Sequence, residues 1–140
     1  MRIARHALLS LALAGTLGLA ACGADDDESS AAAQDAQATP AQAVTEIART
    51  RGALDAGLVA LRNGDREKAE DTVAEGYVQH FEKVEGPLGD VDKELKEELE
   101  ETINAEIRDK IKNGASIAEV EDLVNETKAS LARAATALRQ

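Results

Sequence analysis

The chain has 140 residues, with 16 Lys and Arg against 27 Asp and Glu, a net charge of -11 at neutral pH. Such a balance repels nucleic acid and anionic lipid headgroups and sets both aside as direct partners, leaving cations or basic proteins. One Cys, one Tyr, one Phe and no Trp exclude a disulfide framework and require a core built from Ala, Val, Leu and Ile.

The chain opens with Arg2 and Arg5, then an apolar run from Ala7 to Leu19 too short for a permanent membrane span. Small residues then lead to a cysteine in Leu19-Ala20-Ala21-Cys22-Gly23. This segment resembles the signal peptide of bacterial lipoproteins. The resemblance implies removal of residues 1–21, a diacylglyceryl group on the thiol of Cys22 and acylation, with palmitate or a similar chain, of the new amine. Each buried methylene adds about 0.8 kcal/mol, so two or three chains give stable attachment where one is marginal. The expected location is extracytoplasmic, in the cell envelope, anchored to a membrane by lipid. Gly23 in place of Asp is compatible with outer-membrane sorting, and so with display in a periplasm, in a cell with two membranes. A plain secretory signal with a chance cysteine is the alternative. Cleavage removes two arginines and no acid, leaving 14 basic against 27 acidic residues and a charge of -13. With Cys22 lipidated, no thiol remains for redox chemistry or a thiolate zinc site.

Residues 22–42 are Ala, Gln, Asp and Ser, with Asp25-Asp26-Asp27-Glu28 near the start and no apolar periodicity. This composition reads as a disordered acidic tether. From residue 43 to 140 the apolar residues fall into four blocks with helical spacing. The separators are Asn63-Gly64-Asp65, Gly86-Pro87-Leu88-Gly89 and Asn113-Gly114. The expected fold is all-α, an antiparallel up-down four-helix bundle after the tether.

In the first block Val44, Ile47, Leu54, Leu58 and Leu61 repeat on a heptad seam whose remaining position is Arg51, a charge expected at an edge or beside a partner. Gly57 and Gly76 each fall inside a predicted helix, where glycine costs about 1 kcal/mol relative to alanine, so close helix approach is expected there. In the third block Leu95, Leu99, Ile103, Ile107 and Ile111 recur at steps of four, so their stripe drifts by about 40° per step and buries a wide, twisting face. The fourth carries Ile117, Val120, Val124, Thr127, Leu131, Ala134 and Leu138 on a seam opened by the capping-box pattern Ser116-Ile117-Ala118-Glu119.

The second block, Glu67 to Glu85, holds both aromatic residues and His80. On an ideal helix Val73, Tyr77, His80 and Val84 share a sector of about 60°, with Phe81 at its flank, which turns His80 toward the core. A neutral imidazole hydrogen-bonded to a neighbour is the plain expectation, with Arg51 and Tyr77 in plausible reach. Glu82 and Glu85 form an ExxE pair on one face, suited to a hard cation. Two carboxylates fall short of the six or so oxygens such ions take, so a second element must contribute, with Asp92 and Glu94 as candidates.

Tyr77-Val78-Gln79-His80-Phe81-Glu82-Lys83-Val84-Glu85-Gly86-Pro87-Leu88, followed by Leu95 and the run from Ile103 to Gly114, resembles the helical extracytoplasmic domain found beside oxidase-dependent iron permeases. Those domains carry Phe-Glu-x-Val-Glu after an aromatic residue, then a turn and a helix that ends in an Arg-x-x-Ile-x-x-Gly phrase. Here that phrase is Arg108-Asp109-Lys110-Ile111-Lys112-Asn113-Gly114. The match covers about 50 residues, and Lys83 stands where proline is common. The resemblance implies iron as the ligand, Glu82 and Glu85 as the metal-facing carboxylates and His80 as a possible further ligand. Ideal-helix geometry sets His80 about 160° from Glu82 and objects to one ion shared by both.

Two functions follow as expectations. The first is a lipid-anchored domain that binds or presents a cation, iron foremost, to an iron permease or another membrane transport protein. The second is a metal-free structural or adaptor lipoprotein that binds another protein by helix packing. Enzymatic activity is not expected, since no Ser/His/Asp or Cys/His arrangement supplies a nucleophile with its base.

Overall fold

A computed structural model describes residues 37–140; the expected signal peptide, the lipidated Cys22 and the tether as far as residue 36 lie outside the described residues. Among the described residues the structure is a helical bundle without strands. It contains α1 (Pro40–Arg62), α2 (Arg66–Gly76), α3 (Glu82–Val91), α4 (Lys93–Glu101), α5 (Ile107–Lys112) and α6 (Ile117–Ala137). A π-helical turn at Tyr77–Phe81 joins α2 to α3, and another at Thr102–Glu106 joins α4 to α5. Four rods result: α1, α2–α3, α4–α5 and α6.

The first helix begins at Pro40, three residues before the boundary expected at residue 43. Thr39 accepts the Gln42 amide N–H at 3.3 Å while Gln42 Oε1 takes the Thr39 N–H at 2.8 Å, a reciprocal cap. Proline at the first helical position loses no bond that the helix needs. Gly64 and Gly114 end their helices at φ 84° and 80°, a backbone region open to glycine and strained for other residues. The expected break at Gly86–Gly89 is absent. Pro87 sits inside α3, and Val84, Pro87 and Leu88 are all buried, so packing outweighs local propensity. The chain breaks instead at Asp92, whose backbone leaves the helical region (φ -153°, ψ 83°) and whose carboxylate caps α4 by accepting the Leu95 N–H at 3.0 Å.

Packing follows chain order. α1 lies against α2, α3 and α6, α2 against α5, α3 against α4, and α4 and α5 against α6. One hydrophobic cluster runs through all four rods. Leu95, Leu99, Ile103, Ile107 and Ile111 all enter it, although four steps of 40° would carry an ideal stripe about 160° around the helix. The π-helical turn in their midst takes up one extra residue and returns about 100° of that drift. The second rod behaves alike: Ala69, Val73, Tyr77 and Phe81 step by four across its own π-helical turn and all are buried. α1 and α6, with mixed steps of three and four, need no such turn. Val44 is only partly buried and Ile117 is exposed; Ala43, Thr50 and Gly57 complete the first seam instead, and Arg51 points to solvent.

Both glycines inside helices mark close approach. A Cβ on Gly57 would stand 2.8 Å from Val73 Cγ2, and one on Gly76 would collide with Ala53 Cβ. Each glycine therefore meets a small or branched residue of the opposing helix, and the two do not meet each other. At the turn end Arg66 donates to the carbonyls of Ile111 (3.0 Å) and Ala115 (2.7 Å), binding the two glycine turns together. Glu70 gathers Arg108 Nε at 2.6 Å and Lys112 Nζ at 3.1 Å. Burial alone would raise its carboxyl, but the hydrogen bonds and charges of Arg108 and Lys112 outweigh that and hold it below the usual carboxylate range.

Gly76→Ala should destabilise the fold by about 1–2 kcal/mol in urea melts, because overpacking outweighs the gain in helix propensity. Gly52→Ala, where a Cβ meets nothing within 4 Å, should stabilise it by up to about 1 kcal/mol. Glu70→Gln should cost about 1 kcal/mol at neutral pH. A depressed carboxyl contributes above its unfolded value and loses that contribution on acidification, so the deficit should fade in melts taken below about pH 4.

Candidate functional site

The sequence-predicted residues gather where the start of α1 meets the first π-helical turn and α3. An open cleft of about 730 Å³ there is lined by Gln37, Gln42, Glu46, Val78, Glu82 and Glu85, with Ala38, Lys83 and Gly86. The π-helical turn shapes this place. Relative to an ideal helix it swings Phe81 into the core, His80 toward α1, and Glu85 toward the third rod.

Phe81 therefore occupies the buried position that ideal-helix geometry offered to His80. His80 lies at the edge of the α1 contact, and its Nδ1 is 2.8 Å from Glu46 Oε2. The other oxygen of Glu46 accepts Arg49 Nη1 at 2.6 Å, so this nearly buried carboxylate holds two donors. The hydrogen bond expected of His80 is made with Glu46, and neither Arg51 nor Tyr77 provides it. Glu46 was not anticipated, because it meets His80 only through the register between α1 and the second rod.

Glu82 and Glu85 part company. Glu82 is exposed on the cleft and makes no hydrogen bond or ion pair among the described residues. Glu85 is half-buried, and its Oε1 accepts the Tyr77 hydroxyl at 2.6 Å. Burial pushes the Tyr77 phenol well above its usual ionisation range, and the hydrogen bond to Glu85 and the charges of Glu85, Glu100 and Glu82 push the same way. Lys96 adds a counter-charge on the third rod. Its ammonium lies 2.7 Å from Glu100 Oε2, and that hydrogen bond, with the charges of Glu100, Glu97 and Glu85, strengthens its hold on its proton.

Neither Asp92 nor Glu94 joins the cleft. Asp92 is spent on the α4 cap and Glu94 faces solvent; the carboxylate that the third rod does bring toward Tyr77 is Glu100. Among the described residues no three His, Cys, Asp or Glu side chains converge closely enough to hold a metal ion as they stand. An ion taken by Glu82 and Glu85 would need water or a side-chain shift to fill its shell. The Arg108 phrase has an architectural role here: Arg108 and Lys112 bind Glu70, Ile111 fills the core and its carbonyl accepts Arg66. Among the described residues no helix is long and apolar enough to cross a membrane. Comparison with protein-family models, curated proteins and solved structures finds no match to the chain.

Tyr77 is the only tyrosine and there is no tryptophan, so phenolate absorbance reports it alone. Its native titration should lie well above pH 10 and return to about 10 in urea. A raised phenol contributes stability in full below pH 10 and loses it above. Alkaline melts should therefore show a fall in stability that Tyr77→Phe flattens.

Proposed function

We propose that this chain is a lipid-anchored extracytoplasmic helical domain that takes up a cation, iron foremost, at the Glu46–Glu82–Glu85 cleft and presents it to a membrane transport system. The observation that carries the reading is the meeting of carboxylates from two rods on one open cleft, with Glu82 left free of any partner among the described residues. Hard oxygen ligands suit ferric and other hard ions, and the resemblance of the Tyr77–Leu88 segment to permease-associated domains favours iron. Cys22 supplies the anchor in this reading.

The cross-rod contacts support an antiparallel up-and-down arrangement. Glu46 reaches His80 near the start of α1, and Arg62 at its end reaches Glu121 at 2.7 Å. The cleft would then sit at the end where the tether enters, opposite the Gly64 and Gly114 turns. The second reading, a metal-free adaptor, is favoured by a shallow groove on α6 lined by Ala129, Ala132, Thr136 and Ala137 together with Arg133 and Gln140.

Calorimetric titration of residues 33–140, the compact unit that contains the bundle, with ferric citrate, ferrous, manganese, copper and calcium ions tests the choice. Saturable binding that Glu82→Gln/Glu85→Gln abolishes without loss of helicity is the expected result. A folded domain that binds none of these ions hands the chain to the adaptor reading.

A further inference from the structure

We infer that Asn63 is a site of spontaneous deamidation, where the chain acquires a new carboxylate and an isoaspartyl linkage, and that Arg66 guards the matching Asn113-Gly114 from the same reaction. The inference goes beyond the cation reading and is independent of it, since it concerns the glycine turns.

Both helix-ending glycines follow an asparagine, in Asn63-Gly64 and Asn113-Gly114. Glycine has no Cβ, so its amide nitrogen reaches the carboxamide carbon of the preceding residue without hindrance. All four residues are exposed, and Asn63 lines an open groove between α1 and α2 that admits water.

The reaction needs water alone as co-reactant. The glycine amide nitrogen gives its proton to solvent and bonds to asparagine Cγ; the carboxamide Cγ–N bond breaks, and ammonia leaves with a proton from water. Water then opens the succinimide ring. Attack at the side-chain carbonyl gives aspartate, whereas attack at the main-chain carbonyl gives isoaspartate, whose backbone runs through Cγ.

The two sites differ in how firmly their turns are shut. Their asparagine backbones are alike, with φ and ψ of -81° and 0° at Asn63 and -82° and 6° at Asn113. Each glycine N–H donates back to its helix, Gly64 to the Leu61 carbonyl at 3.0 Å and Gly114 to that of Ile111 at 3.3 Å. An N–H so bonded is withheld from base, and each turn must open before the ring closes. A second backbone bond closes each turn, from Asp65 N–H to the Ala60 carbonyl at 3.1 Å and from Ala115 N–H to that of Lys110 at 3.0 Å. Only the Gly114 turn is also braced by a side chain among the described residues. The Arg66 guanidinium donates to the carbonyls of Ile111 at 3.0 Å and Ala115 at 2.7 Å, on either side of Asn113-Gly114. Opening that turn breaks two charge-assisted bonds, which outweigh the longer bond of Gly114. Asn63 is left as the reactive site. A carboxylate there meets the negative end of the α1 dipole, so the modified turn is also the less stable one.

The test incubates the full chain in detergent in warm, mildly alkaline buffer. Peptide mass mapping follows each asparagine, and methyl transfer by an isoaspartyl methyltransferase counts isoaspartate. In the native chain Asn63 should convert about fivefold faster than Asn113, the ratio expected from one net hydrogen bond. In urea the two should react at one rate. Arg66→Gln should speed Asn113 by a similar factor and leave Asn63 unchanged; circular dichroism checks its fold, and a general loosening would speed both sites. An Asn63 that reacts in urea but stays intact in the native chain overturns the site. Native Asn113 reacting as fast as Asn63, or unmoved by Arg66→Gln, overturns the guarding role of Arg66.

Discussion

The structure depends on one mismatch: two of its four rods carry apolar residues every four positions, while an α-helix turns every 3.6. Left alone, Leu95 to Ile111 would wind away from the core and expose isoleucines. Each of these rods instead opens one turn to π-helical form, at Tyr77–Phe81 and Thr102–Glu106, and so keeps its stripe inward. The gain is burial of Phe81, Val84 and Leu88 on one rod and Ile107 and Ile111 on the other, worth about 1.5–3 kcal/mol for each large side chain. That gain offsets the poorer hydrogen bonding of a widened turn.

The same accommodation makes the site. Rotation at the first π-helical turn takes His80 out of the apolar stripe and sets it against Glu46, and it carries Glu85 from the solvent side to the hydroxyl of Tyr77. The ExxE pair consequently presents two unlike carboxylates, one free at the cleft and one bonded beneath it. A regular helix would have left both on the outer face, where a cation gains little against water. Core packing and site geometry thus share a cause, and π-helical turns of this kind are frequent at functional sites.

The composition and periodicity of the sequence were enough to expect an all-helical chain in four rods, because Gly64 and Gly114 mark their turns and the Ser116–Glu119 box opens α6. The third boundary misled. Gly86, Pro87 and Gly89 carry the local signals of a break, but Val84, Pro87 and Leu88 are bound into the core, and the Asp92 cap ends the rod instead. Steps of four in the third block pointed to a twisting stripe; its resolution by an inserted residue depends on what the opposing rods fill, which no single block encodes. In the site, Glu82 and Glu85 stood out by spacing, whereas Glu46 and Glu100 become neighbours only through the register of α1 and α4 with the second rod.

The two ends of the second rod are built to different electrostatic rules. Toward the glycine turns Glu70 is balanced by Arg108 and Lys112, and Arg66 caps carbonyls of the third rod and the turn that follows it, so charge and hydrogen bonding there are satisfied within the chain. Around Tyr77 the accounting is incomplete: Glu82, Glu85 and Glu100 all act on one phenol oxygen, and Lys96 is the basic residue bonded among them. Burial and the carboxylates raise the ionisation range of Tyr77, whereas the basic partners of Glu70 lower its own.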